Sequence, residues 1–126
     1  MKKVLIVVAD YYEEISSSLL ESAKKSLKKF SIKIIKVPGV FEIPVTISKN
    51  IKKHDGFIAL GCVIKGETPH FDFISSATTQ GIMNLSIDNK KPIGNGIITC
   101  LNKTQAKARE KKGKEAAEAV ISILSQ

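Results

Sequence analysis

The stretch GFIALGCVIKGETPHFD, residues 56–72, decides how this chain folds. Its first half is an almost unbroken apolar run, as expected for a parallel strand that is covered on both faces. Polar residues then take over at 65–68, where Thr68 is a good N-cap and Pro69 suits the first position of a helix. The stretch therefore predicts a buried strand, a polar turn and a helix whose free backbone N–H groups could hold an anion.

His70 lies in the first turn of that predicted helix and is one of only two histidines in the chain. Because imidazole titrates near neutral pH, His70 is a candidate acid–base group. The alternative is an ordinary connection, since every parallel α/β domain needs turns between strands and helices. The second histidine, His54, follows Lys52 and Lys53 and is expected to be a solvated surface residue.

The composition indicates one soluble domain over residues 1–126, because the length is typical of a domain and 43% of the residues are apolar. Cys62 and Cys100 lie far apart in apolar surroundings, which favours a reduced, cytoplasmic protein over a disulfide scaffold. No group of cysteines and histidines has the spacing of metal ligands, so we expect no metal. The apolar run after Met1 is short and is interpreted as a strand, and no stretch is long enough to span a bilayer.

The charge of the chain is strongly positive, with twenty basic and twelve acidic residues and a formal net charge of +8. Such a charge suits solubility, an anionic small substrate or a nucleic acid. Recognition of a nucleic acid is expected to need a basic face with interleaved aromatic side chains, and only 6% of the residues are aromatic. We therefore expect no nucleic-acid partner and no membrane partner.

Strand and helix patterns alternate from one end of the chain to the other. The predicted strands are 3–9, 31–37, 57–64 and 92–100, and the predicted helices are 13–29, a short helix opened by Pro44, 71–89, and a last helix from 102 or 103 to the end. This order predicts a three-layer α/β/α fold with a four-stranded parallel sheet and helices on both faces.

Candidate ligand-binding residues follow the predicted strands, because ligands of such sheets bind beyond the carboxyl ends of the strands. Tyr11 or Tyr12, together with Phe41, could stack on a flat ring or could cap the core. Glu42 could bind hydroxyl groups or cap the short helix that follows it.

Four segments of the chain resemble the lumazine synthase family: VPGVFEIP at 37–44, GCVIKGETPHFD at 61–72, GIIT at 96–99 and QAKAR at 105–109. The resemblance implies a flavodoxin-like fold and a transferase reaction of riboflavin biosynthesis. In that reaction, 5-amino-6-(D-ribitylamino)uracil condenses with 3,4-dihydroxy-2-butanone 4-phosphate. The product is 6,7-dimethyl-8-ribityllumazine, and phosphate and water are released without a metal or an organic cofactor.

The resemblance also implies roles for individual residues. His70 matches the proposed catalytic acid and base. The matches to substrate-binding residues are Tyr11, Val40, Phe41, Glu42, Cys62, Val63, Ile64, Glu67, Thr68, Asn95 and Arg109. Among them, Glu42 is expected to bind ribityl hydroxyls, and Glu67 and Thr68 to bind phosphate through backbone N–H groups. Arg109 is expected to bind phosphate from a neighbouring copy, because the family's site is shared between adjacent subunits of a ring pentamer.

The chain departs from the family pattern at several positions. Lys65 stands where many members have Arg, and Asn95 where many have Phe. The turn after Arg109 is short, and Lys112 is a candidate for a second basic residue of the site. Since the chain also begins directly at the first strand, we expect a free pentamer and not a sixty-subunit capsid. A one-residue shift of the alignment would exchange Tyr11 for Tyr12.

Two other functions stay open at this point. An archaeal-type riboflavin synthase is similar in fold but acts on two lumazines. Glu67, Thr68 and Arg109 argue against it, because its substrates carry no phosphate. The other possibility is a non-catalytic binder, either of flavin-like ligands or of nucleic acid through the lysines.

Overall fold

A single parallel sheet organises the chain in a computed structural model that describes all 126 residues. The strands are β1 (Lys3–Ala9), β2 (Ser31–Val37), β3 (Gly56–Ile64) and β4 (Ile93–Cys100). Their order is β2-β1-β3-β4, and every neighbouring pair is parallel. The strand order therefore reverses between β1 and β3, which is where an open parallel sheet leaves a crevice for a ligand.

Helices cover both faces of this sheet. They are α1 (Glu13–Lys25), α2 (Ile43–Lys49) with a 3-10 turn (Val40–Glu42) before it, α3 (His70–Asn89), α4 (Lys103–Lys107) and α5 (Lys112–Leu124). The predicted three-layer, flavodoxin-like α/β fold is thus confirmed. No helix has the length and apolar character needed to cross a membrane.

The alternation of side chains along β1 produces the two cores. Val4, Ile6 and Val8 pack on one face with residues of α1 and α5. Leu5 and Val7 pack on the other face with residues of α2 and α3. All five side chains are at most 2% exposed, as expected for a parallel strand in the middle of a sheet.

The predicted last helix is wrong in one respect, because it is divided into α4 and α5 by a turn at 108–111. Asn102 caps α4, since its side chain accepts a hydrogen bond from the N–H of Gln105. The second segment begins anew where Gly113 lies directly against the backbone of Leu19, a contact that fixes the direction of α5. The predicted first helix also ends earlier than expected, at Lys25.

The prediction that His54 is a solvated surface residue is wrong. His54 is 9% exposed, and its ring lies 5.9 Å from that of Phe57. The carbonyl oxygen of His54 accepts a hydrogen bond from the ammonium group of Lys91. The loop before β3 therefore folds inward, although its sequence is rich in lysine.

Candidate active site

A cavity of about 300 Å³ opens beyond the carboxyl ends of β1, β2 and β3. It is lined by Tyr11, Tyr12, Gly39, Val40, Phe41, Cys62, Val63, Ile64, His70 and Ile74. The lining is mostly apolar and aromatic, and His70 brings an imidazole to it. The structure thus brings seven of the twelve predicted site residues together: Tyr11, Val40, Phe41, Cys62, Val63, Ile64 and His70.

Three aromatic rings form the walls of this cavity. Tyr11 is 76% exposed and Phe41 is 59% exposed, so both rings leave a face free for stacking. Tyr12 lies edge-on to Tyr11 with ring centroids 4.9 Å apart. Burial raises the pKa of Tyr12, and Tyr11 and Cys62 add to this effect, so its phenol stays neutral. Tyr11 is therefore the freer ring, and Tyr12 supports it.

The loop from 65 to 69 leads from β3 into the first turn of α3, and every residue in it is exposed. The N–H of Lys65 donates to the carbonyl of Cys100 at 2.9 Å, which anchors the start of the loop. The N–H groups of Gly66, Glu67 and Thr68 donate to no acceptor in the protein. Because they precede the N-terminus of a 20-residue helix, they are available to an anion.

The predicted N-cap at Thr68 is wrong by one residue, since Pro69 occupies the N-cap position and α3 begins at His70. The Thr68 hydroxyl accepts a hydrogen bond from the N–H of His70, but at 3.4 Å this bond is long. The hydroxyl consequently contributes little to capping the helix.

Glu42 stands at the N-cap position of α2, yet its side chain makes no capping hydrogen bond. It also takes part in no salt bridge. The interpretation of this carboxylate as a helix cap is therefore wrong. Glu42 does not line the cavity itself, but it follows Phe41, which does.

Asn95 and Arg109 lie in a different cleft, of about 550 Å³, formed by β4 and the segment from 108 to 115. Lys111 and Lys112 line the same cleft, which shares no residue with the aromatic cavity. The Arg109 guanidinium donates only to the carbonyl of Thr99, at 3.4 Å, so nearly all of its donors are free. Within one copy, the predicted site residues are therefore divided between two separate clefts.

Cys62 is a floor residue of the cavity. Burial raises its pKa to about 12, and the neighbouring Cys100 adds to this effect. Both cysteines are free and buried. At neutral pH, Cys62 is thus an uncharged, weakly nucleophilic thiol that shapes the cavity.

Sequence reasoning missed Gly39 and Ile74 and left Tyr12 undecided as residues of the cavity. A helical spacing could have indicated Ile74, since residues i and i+4 of a helix share a face and His70 lies four positions before it. Gly39 could have been indicated by its place in the motif at 37–44, directly before Val40 and Phe41.

Comparison with known protein families shows which family this chain belongs to. A family model described as 6,7-dimethyl-8-ribityllumazine synthase matches residues 1–126. The chain belongs to this family.

Curated relatives bear the same name. The lumazine synthase of Bartonella tribocorum is 42% identical, covering 97% of this chain and 87% of its own length. That of Cutibacterium acnes is 38% identical, covering 98% and 80%. That of Novosphingobium aromaticivorans is 39% identical, covering 99% and 96%. Among solved structures, a de novo designed Rossmann 2x2 fold protein is a distant likeness, with 13% identity, a TM-score of 0.40 and coverage of 91% and 89%.

The predicted lumazine synthase family is confirmed by these findings, which support the main interpretation and not the riboflavin synthase alternative. In this lumazine synthase family member, the residues of the longest matching motif, 61–72, run from the cavity through the loop at 65–69 into the first turn of α3, which contains His70.

Proposed function

We propose that the protein condenses 5-amino-6-(D-ribitylamino)uracil with 3,4-dihydroxy-2-butanone 4-phosphate to form 6,7-dimethyl-8-ribityllumazine. One observation carries this proposal: a single cavity brings an imidazole, His70, next to two free aromatic faces, Tyr11 and Phe41. A flat pyrimidine ring fits between such faces, and a proton-transfer group stands at its edge. Glu42 has a carboxylate free to bind ribityl hydroxyls.

The phosphate substrate is assigned to the loop before α3. Its three free N–H groups, at Gly66, Glu67 and Thr68, can donate to phosphate oxygens, and the helix N-terminus favours the negative charge. His70 follows two residues later, so a phosphate held there stands close to the imidazole. During imine formation, phosphate loss and ring closure, His70 takes protons from the amine and returns them to the leaving groups.

Arg109 completes the phosphate site in a neighbouring copy. Its cleft is separate from the cavity, and Lys112 adds a second cation there. A fork of guanidinium donors suits a phosphate whose remaining oxygens are already bound by backbone N–H groups. A contact between the cavity of one copy and the Arg109 cleft of the next is heterologous, and repeated contacts of this kind form a ring when the rotation between copies closes.

The exposed side of α3 supports this ring. Phe73, Met83 and Ile87 lie along the helix and are 68%, 53% and 64% exposed. These large apolar side chains are costly to leave in water, and a second copy of the chain would cover them. We assign the protein to the cytoplasm as a homopentamer without capsid, and the two free, buried cysteines support a reducing compartment.

Incubation with both substrates, followed by the fluorescence of the lumazine product, tests this function. We expect product and free phosphate to form in equal amounts and faster than in the absence of protein. A control lacking the butanone phosphate should give no product. If lumazine alone is converted to riboflavin, or if no product forms where a Bartonella tribocorum enzyme is active, the proposal is wrong.

A further inference from the structure

A pair of lysines lies at the start of every strand of the sheet or shortly before it. The pairs, here called the lysine dyads, are Lys2 and Lys3 at the start of β1, Lys28 and Lys29 before β2, Lys52 and Lys53 before β3, and Lys90 and Lys91 before β4. Because all four strands are parallel, their starts lie along one edge of the sheet. This edge, here called the amino edge, is opposite to the cavity that contains His70.

Hydrogen bonds tie the segments of the amino edge to one another. The carbonyl of Lys2 accepts from the N–H of Ser31, and the N–H of Lys3 donates to the carboxylate of Asp55 at 2.8 Å. Lys91 donates from its ammonium group to the carbonyls of Ile51 and His54. The dyads are therefore held in fixed positions along the edge and do not sit on independent loops.

Most ammonium groups of the dyads are free. Lys2 donates to the carbonyl of Leu124, and Lys91 is engaged as described. The other six make no hydrogen bond and no salt bridge through their ammonium groups, and all six side chains belong to exposed residues: Lys3, Lys28, Lys29, Lys52, Lys53 and Lys90. The edge thus presents about six available cations.

The charge of the molecule is concentrated at this edge. We count residues from the last turn of each helix to the third residue of the next strand, and residues 1–5 at the start. Twelve of the twenty basic residues lie there, since Lys24, Lys25, Lys33 and Lys49 join the eight dyad lysines. Only two of the twelve acidic residues, Asp55 and Asp88, lie there. The amino edge therefore carries a formal charge of +10, and the rest of the chain carries −2.

The helix dipole explains only part of this pattern. Lysine is favoured in the last turn of a helix, which accounts for Lys24, Lys25 and Lys49. Lys90 is the C-cap residue of α3, so the dipole favours it as well. The other dyad lysines lie in the connections or at the strand starts, where the dipole effect has faded. Repeating a dyad at all four strand starts places a row of positive charge across the whole sheet.

We propose that the amino edge is a docking surface for the phosphate backbone of a nucleic acid. Neighbouring strands lie about 4.8 Å apart, so the four dyads form a row about 14 Å long. The distance of about 4.8 Å between neighbouring dyads is of the same order as the spacing of about 3.4 Å between successive phosphates of one strand of a duplex. A regular row of cations fits a linear polymer of regular charge better than it fits a compact anion.

The expected absence of a nucleic-acid partner depended on the scarcity of aromatic side chains. The exposed aromatic residues, Tyr11, Phe41 and Phe73, are indeed far from the dyads in the fold, at or near the carboxyl ends of the strands. The surface therefore lacks a platform for stacking bases. Binding at the amino edge uses phosphate contacts alone and is independent of the base sequence.

Fluorescence anisotropy with the full chain and a labelled single-stranded oligonucleotide of mixed sequence tests the proposal. With about six phosphate contacts, the affinity should fall roughly 300-fold between about 50 mM and about 200 mM salt. In a variant with Lys28→Gln, Lys29→Gln, Lys52→Gln and Lys53→Gln, the slope of log affinity against log salt should become shallower by about 3.

A matched control replaces four lysines elsewhere by the same change: Lys36→Gln, Lys103→Gln, Lys107→Gln and Lys111→Gln. It should leave the salt slope nearly unchanged, because none of these residues lies at the amino edge. The edge variant should keep the wild-type far-UV circular dichroism spectrum. It should also keep the wild-type rate of lumazine formation, so a failure of the catalytic proposal is detected separately.

Three results would overturn the proposal. The first is no binding by the wild-type protein at about 50 mM salt, where phosphate contacts are strong. The second is an equal loss of oligonucleotide affinity in the edge variant and in the control variant, which would indicate that binding responds to net charge alone. The third is edge-dependent binding of polyglutamate or of anionic lipid vesicles under conditions where the oligonucleotide does not bind.

Discussion

At the scale of single residues, His70 combines an exposed imidazole with a place in the aromatic cavity. We expect His70→Gln to lower the turnover rate of lumazine formation by about ten- to a thousandfold, which overlaps the lower part of the range of about a hundred- to ten-thousandfold that general acid–base catalysis contributes. Steady-state kinetics with both substrates measures this change. The matched control is His54→Gln, which alters the other histidine at the opposite end of the sheet and should keep the wild-type rate. A loss below threefold for His70→Gln would show that the cavity acts by positioning alone.

The second histidine should affect stability and not catalysis. Burial lowers the pKa of His54 below its ordinary value of 6.5, and Lys33 and Lys3 act in the same direction, while the nearby Asn50 backbone and the charge of Asp55 oppose this shift. The folded protein thus binds this proton less readily than the unfolded chain does. The stability contributed by neutral His54 is fully present above pH 6.5 and is lost as the pH falls through the lowered pKa.

Urea unfolding at a series of pH values below 7 checks this expectation. The free energy of unfolding of the wild-type protein should decrease as the pH falls below 6.5, and His54→Gln should flatten that decrease because glutamine does not titrate. A curve of unchanged steepness in the variant would assign the acid sensitivity to other groups.

At the scale of the elements, sequence patterns predicted the order of strands and helices because the apolar periodicities of the chain are strong. Strand β1 is predicted with its observed bounds, and its two buried faces follow from its continuous apolar run. The division between α4 and α5 was not predictable in this way. It depends on a contact with α1 that is distant in sequence, and the charged residues at 109–112 fit a helix surface equally well.

The close contact between Gly113 and the backbone of Leu19 can be tested by adding a single methyl group. A Cβ atom added at Gly113 would lie 2.1 Å from the carbonyl oxygen of Leu19, and backbone cannot yield as a flexible side chain can. Gly113→Ala should therefore push α1 and α5 apart and destabilise the protein by about 1–3 kcal/mol, although alanine is the better helix former.

Gly66→Ala is the control for this change, because a Cβ at Gly66 would meet no atom within 4 Å. Its free energy of unfolding in urea should stay within about 0.5 kcal/mol of the wild-type value. If Gly113→Ala were as stable as Gly66→Ala, the close packing of α5 on α1 would not be a constraint on the fold.

At the scale of the whole molecule, the sequence motifs identified most of the cavity but could not show which residues meet within one copy. Tyr11, Phe41 and His70 follow different strands, and the parallel sheet brings them to one edge. Arg109 lies in its own cleft, a fact that depends on the three-dimensional path of the chain after β4. Under the proposed function, an isolated copy therefore has the imidazole of the site without the guanidinium that would bind the phosphate.

Mixing two inactive variants tests whether copies share the site. His70→Ala keeps the Arg109 cleft and Arg109→Ala keeps the cavity, so each variant alone should be nearly inactive. After the two are unfolded together and refolded as a mixture of equal parts, about a quarter of the contacts between neighbours should pair an intact cavity with an intact cleft. The lumazine formed per milligram of protein should then rise to roughly a quarter of the wild-type value. If each site were complete within one copy, the activity of the mixture would only be the average of the activities of the two variants.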